Sequence, residues 1–188
     1  MTISRRSMTG GLLGVWAAAS AGGFRTAAAG DVAASPSARP EFLTAAELAF
    51  VSAYADVLIP DTDTPGALSV GVPALFDHMM ATWAGAKTRG DLRRLLADLQ
   101  RDLAQAAGKP FNKASRDARL QALTVIDAQR FAAESGAIPG PYRQFKILIA
   151  RLYYSTHVGA TVELRYEPMP GDWKSDIPFS DVGRSWAK

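Results

Sequence analysis

Residues 88–110, from Thr88 to Pro110, read TRGDLRRLLADLQRDLAQAAGKP, and their spacing decides the fold class. Leu92, Leu95, Leu96, Leu99, Leu103 and Ala106 recur at steps of three and four, which places them on one face of a helix. Thr88 stands at an N-cap position with Asp91 three residues on, and Gly108 and Pro110 close the helix. A leucine face opposite Arg and Asp needs neighbouring helices to cover it.

The flanks supply those helices. Upstream, Leu43-Thr44-Ala45-Ala46-Glu47-Leu48 carries a capping box, with Leu43 placed to staple onto Leu48. Leu48, Val51, Ala55 and Leu58 share a face, and Pro60 ends the helix by lacking an amide proton. Pro73 suits the first turn of a second helix bearing Leu75, Phe76, Met79, Met80 and Trp83. Downstream, a fourth helix starts near Ser115, carries Leu120, Leu123, Ile126 and Phe131, and ends at Gly136. A fifth begins at Pro141 and runs through Tyr142, Phe145, Ile149, Leu152 and Tyr153. The expectation is an all-α domain of about five helices in a small irregular bundle over 42–155.

Past Ser155 the pattern changes. Val162, Leu164 and Tyr166 alternate, which reads as a short strand. The rest, with Pro168, Pro170, Gly171 and Pro178 among Trp173, Phe179 and Trp186, reads as an extended, mostly irregular tail over 156–188. Such a tail cannot bury its aromatics within itself, so it wraps back over the helices or lies on another protein.

Length and charge set further bounds. At 188 residues the chain has room for one ordinary domain with appendages. Its basic balance comes from the N-terminal segment: Arg5, Arg6 and Arg25 lie before residue 30 with no acid among them. Beyond them, 18 of the 21 Lys and Arg face 18 Asp and Glu. That neutral body has no nucleic-acid footprint. No apolar stretch is long enough to span a bilayer. With no cysteine, the chain has no disulfide, no covalent c-type haem, no thiolate zinc site and no cysteine nucleophile.

The chain opens Ser4-Arg5-Arg6-Ser7-Met8-Thr9, followed by a moderately apolar run and then Ala27-Ala28-Ala29. The Arg5-Arg6 pair resembles a twin-arginine signal over 1–29, which addresses folded cargo for export to the periplasm. A general secretory signal with a chance Arg pair and an uncleaved anchor are the rival readings. Residues 30–41, rich in Ala, Ser and Pro, read as a flexible lead-in.

Candidate chemistry is sparse. His78, among Leu75, Met79 and Met80, reads as a structural histidine. His157 follows Ser155-Thr156, but near neighbours in a loop rarely form a Ser–His pair. Asp61-Thr62-Asp63-Thr64 lacks the further ligands of a calcium loop, and its short carboxylates suit turn stabilisation. No Walker, HExxH or nucleophile-elbow motif is present. Exposed aromatics held by Pro and Gly suit an interface anchor, Trp173 and Trp186 above all.

Two blocks carry a family resemblance. One comprises Asp56-Val57-Leu58-Ile59-Pro60, Asp63-Thr64-Pro65-Gly66-Ala67 and Gly71-Val72-Pro73-Ala74-Leu75-Phe76-Asp77. The other comprises Tyr153-Tyr154-Ser155, Gly159, Leu164, Tyr166, Pro168, Pro170-Gly171 and Trp173. Together they resemble the gluconate 2-dehydrogenase small (third) subunit family over most of residues 42–175.

The resemblance implies a non-catalytic accessory subunit. Its partner would be a large FAD-dependent flavoprotein of the glucose-methanol-choline type, oxidising a sugar or polyol in the periplasm. Electrons often continue to a c-type cytochrome subunit carrying haem, which can associate the complex with the membrane. The small subunit would assist maturation and folded export, with no catalytic, cofactor or metal residue of its own. Tyr153, Tyr154, Tyr166, Pro170, Gly171, Trp173 and Trp186 are the expected partner interface. Two rival functions are a free-standing periplasmic sugar-binding module, stacking Trp173 or Trp186 on a ring, and a hydrolase using His157.

Overall fold

The computed structural model describes residues 39–187 apart from 135, 137, 167–170 and 172–175. Arg5, Arg6, Pro170 and Trp173, with the rest of the N-terminal segment, lie outside the described residues. The described chain is helical, in the order α1 (Ala45–Leu58), α2 (Val72–Thr82), α3 (Ala86–Ala107), α4 (Arg116–Ala133), α5 (Pro141–Ser155) and the short α6 (Phe179–Val182). A 3-10 turn at Phe111–Lys113 joins α3 to α4, and a π-turn at Gly159–Glu163 follows α5. No strand occurs among the described residues.

α1 is the central helix, burying Phe50, Val51, Ala53, Tyr54, Ala55 and Val57. It packs on α2, while α3 lies along α4 and α5 reaches α2, α3 and α4. Aromatic rings tie these layers together: Phe50 meets Phe111 at 5.8 Å, Tyr54 meets Phe145 at 5.0 Å, and Phe76 meets Phe145 edge-on at 5.6 Å. Each ring removed from water contributes roughly 1.5–3 kcal/mol, which makes this aromatic seam a principal source of stability.

Local signals set the helix ends. The Thr44 capping box forms in full: the Glu47 amide donates to Thr44 Oγ1 at 3.2 Å and the Thr44 amide to Glu47 Oε2 at 2.8 Å. Ser115 caps α4 through the Ala118 amide. Gly108 takes the left-handed conformation (φ 70°) that stops α3.

Several expectations change in detail. α3 begins at Ala86 with Gly85 as its N-cap, so Thr88 lies in the first turn and is not the cap. Asp91 instead bonds Lys87 at 2.7 Å and also pairs with Arg94. Leu92, Leu95, Leu96, Leu99 and Leu103 are buried as their spacing requires. Trp83 does not join the core face of α2, because it falls on the C-cap after the last helical turn and is 85% exposed. Leu120 lies at the edge of the α4 stripe and is also exposed. His78 is exposed, and its Nδ1 is paired with the Glu41 carboxylate at 3.0 Å. The expected strand over 161–166 is replaced by the π-turn. Among the described residues, pairing in this region is one parallel bridge between Arg165 and Trp186.

Candidate functional site

The two sequence blocks meet at one end of the bundle. After α1, the chain reverses through residues 59–71, and the Ala67 amide returns to the Ile59 carbonyl at 2.9 Å. Asp61 organises this reversal, its Oδ1 accepting from the Gly66 amide at 2.6 Å and the Ser69 hydroxyl at 2.7 Å. The Gly66 amide and then the Ser69 hydroxyl hold the Asp61 carboxyl below the usual carboxylate range. This is the turn-stabilising use expected of the short carboxylates. Gly66 is obligatory for a steric reason: a Cβ there would sit 2.5 Å from the Asp61 amide nitrogen. Gly71 then takes φ 76° at the α2 N-cap, which favours glycine.

The second block folds against this loop. Tyr153 ends α5 in the core, 1% exposed, and its hydroxyl donates to the Pro65 carbonyl at 2.9 Å. Thr156 Oγ1 donates to the Tyr153 carbonyl at 2.7 Å and accepts from the Gly159 amide at 3.1 Å. Gly159 is packed so tightly that a Cβ would lie 2.2 Å from the Tyr153 carbonyl oxygen. From the π-turn, Glu163 Oε2 accepts from Thr64 Oγ1 at 2.7 Å. Residues about ninety positions apart are thus cross-bonded twice.

Between them lies an open groove of about 660 Å³, lined among others by Pro60, Asp63, Thr64, Tyr154, Val162 and Arg184. Arg184 also donates to the Val162 carbonyl. The Arg165 amide donates to the Ser185 carbonyl and the Ala187 amide to the Arg165 carbonyl, both at 2.8 Å. The Arg165 guanidinium stacks over the Trp186 ring at 4.4 Å. The end of the chain therefore returns to the rim of the groove.

The expected interface residues divide accordingly. Tyr153 is a core residue whose side chain cannot reach a partner, because helix periodicity turns it inward and its hydroxyl is committed to Pro65. Tyr154, edge-on to it at 5.2 Å, faces outward on the groove. Tyr166 and Gly171 are exposed, and Trp186 is partly covered by Arg165. Pro170 and Trp173 lie outside the described residues.

Among the described residues, no reactive constellation forms around His157. The Ser155 hydroxyl donates to the Leu152 carbonyl at 2.8 Å and is thereby committed, while His157 is exposed. Among the described residues, no three His, Asp or Glu side chains converge as metal ligands.

Asp77 was given no role by the sequence reading. It is 4% exposed and accepts from three successive amides, those of Glu41 (2.6 Å), Phe42 (3.1 Å) and Leu43 (2.6 Å). Its spacing from Pro73, Phe76 and Met80 placed it on the buried face, and an acid there requires donors. A second polar chain, buried at its tyrosine end and half-exposed at the other, links Tyr54 to Tyr142 (3.2 Å), Tyr142 to Asp127 (2.6 Å) and Asp127 to Lys146 (2.6 Å). It bonds α1, α5 and α4 to one another. Burial is the main cause that pushes both tyrosine hydroxyls far above their ordinary range.

Residues 45–171 match the family model described as gluconate 2-dehydrogenase subunit 3. No curated protein and no solved structure matches the chain.

Proposed function

From the premise that this chain belongs to the gluconate 2-dehydrogenase subunit 3 family, we propose that it is the non-catalytic small subunit of a periplasmic FAD-dependent sugar or polyol dehydrogenase. It stabilises the catalytic flavoprotein during maturation and accompanies it through folded export. The flavoprotein is of the glucose-methanol-choline type and carries the FAD, and a c-type cytochrome subunit takes the electrons onward.

The observation that carries this reading is the convergence of both sequence blocks on one open groove. Close-packed glycines and two cross-bonds back the groove, while Tyr154 and Val162 on it remain 42% and 41% exposed. A stiff framework presenting accessible aromatic and aliphatic side chains is suited to a protein partner. Ser155 and His157 offer no paired nucleophile and base, which favours an accessory role over hydrolysis.

Gentle affinity purification of the full chain from its native periplasm tests the proposal. A larger co-eluting protein with a flavin absorption spectrum is expected. A colourless, stable, lone chain overturns it, and heat released on mixing that chain with simple sugars would favour the binding-module alternative.

A further inference from the structure

The start of the domain is held more firmly than a helix entry requires. α1 already has its complete capping box at Thr44 and Glu47. Immediately before it, Glu41, Phe42 and Leu43 are fixed separately. Asp77 takes all three of their amides and is the one buried charged side chain among the described residues. The Phe42 ring lies beneath Arg93 at 4.7 Å and Arg89 at 5.8 Å, and its carbonyl accepts from Arg93 at 3.1 Å. Glu41 meets His78 at 3.0 Å.

All these partners come from α2 and α3, and none comes from α1. Asp77 lies 34–36 residues beyond the amides it holds. A buried carboxylate is strongly disfavoured until its donors arrive, and the donors arrive only when α1 and α2 pack side by side. The clamp therefore depends on the tertiary fold. It sits at the N-terminal end of α1, whereas Leu58 at the other end lines the groove. A helix of this length separates the two by about 20 Å.

We propose that Asp77 is a folding latch, fixing residues 41–43 only when the first two helices have docked, so that whatever engages the N-terminal segment meets an ordered entry only on a folded domain. The second half of this proposal rests on the export reading. The distance from the groove leaves the flavoprotein site free while the latch is engaged.

The test compares the full chain with its D77N and D77A variants by hydrogen exchange, and the exported yield of each in cells. D77N keeps the shape and one acceptor oxygen but sets an amide donor against a backbone donor, so it decides the question even where D77A does not fold. At least tenfold faster exchange at residues 41–43 is expected, with Leu92–Leu103 unchanged and exported yield reduced at least threefold. Unchanged protection at residues 41–43 overturns the latch. Uniform loss of protection across α1 to α5 also overturns it, because Asp77 would then be an ordinary part of the core. An open latch with undiminished export removes the reporting role. Replacing Arg5 and Arg6 by Lys separates the two readings. If export survives that change, the export reading and the reporting role fall, while the exchange result still decides whether the latch exists.

Discussion

The hydroxyl of Tyr153 donates to the carbonyl of Pro65 at 2.9 Å, joining the end of α5 to the loop between α1 and α2. The ring is buried and Pro65 belongs to the reversal that Asp61 and Gly66 hold together. Tyr153→Phe keeps the ring and leaves that carbonyl without its donor. A loss of about 1–2 kcal/mol is expected, read as a lower urea midpoint at unchanged slope.

Glycine substitutions should have opposite signs at two positions. Gly159→Ala drives a methyl into the Tyr153 carbonyl and should cost about 2–4 kcal/mol, or displace the π-turn. Gly90→Ala, inside α3 with nothing within 4 Å of the new carbon, should stabilise by about 0.5–1 kcal/mol. Thermal unfolding of the two variants checks both signs.

Alkaline pH should destabilise the fold through its buried phenols. Burial raises the folded-state pKa of Tyr54, Tyr142 and Tyr153 above that of the unfolded chain, so the folded protein keeps these phenols protonated. Unfolding therefore releases protons as pH climbs. Their contribution is fully present below the ordinary tyrosine value near pH 10 and is lost as pH rises from there toward the folded values. Titration followed by phenolate absorbance should count fewer than the chain's five tyrosines until the protein unfolds. All five titrating together while the protein stays folded would refute this.

The groove should matter for the partner and not for the fold. Tyr154→Ala removes an exposed ring, so thermal stability should change by less than about 0.5 kcal/mol. Affinity for the flavoprotein should fall at least tenfold if the ring is an anchor. Trp173→Ala, in the same sequence block, should weaken the complex by about 2 kcal/mol or more. Equal affinity of the wild type and Tyr154→Ala in a titration against purified flavoprotein would exclude this face, and equal affinity of Trp173→Ala would remove Trp173 as an anchor.

What the sequence made legible was local. Thr44 with Glu47, Ser115, Pro73 and Gly108 mark helix ends because each acts on backbone within a turn of itself. The leucine face of α3 was legible because its spacing extends over several turns. Trp83 and Leu120 were misread because periodicity gives an angle around the helix but not where the neighbouring helix stops. Val162, Leu164 and Tyr166 alternate like a strand, yet the close approach of Gly159 to Tyr153 winds the chain into a π-turn first. The site was only half legible. The blocks were recognisable and helix spacing turned Tyr153 inward with Phe145 and Ile149, but its hydroxyl's partner, Pro65, lies 88 residues away, and a contact at that range leaves no local pattern.

The cross-bonds Tyr153–Pro65 and Thr64–Glu163 have a consequence for chimeras of this family. The loop at 59–71 and the segment at 153–165 form a single exchangeable module despite their separation along the chain. Transplanting either alone into another scaffold would carry over one wall of the groove without its counterpart. Moving both, with Gly66 and Gly159 retained, should transfer the groove as one piece.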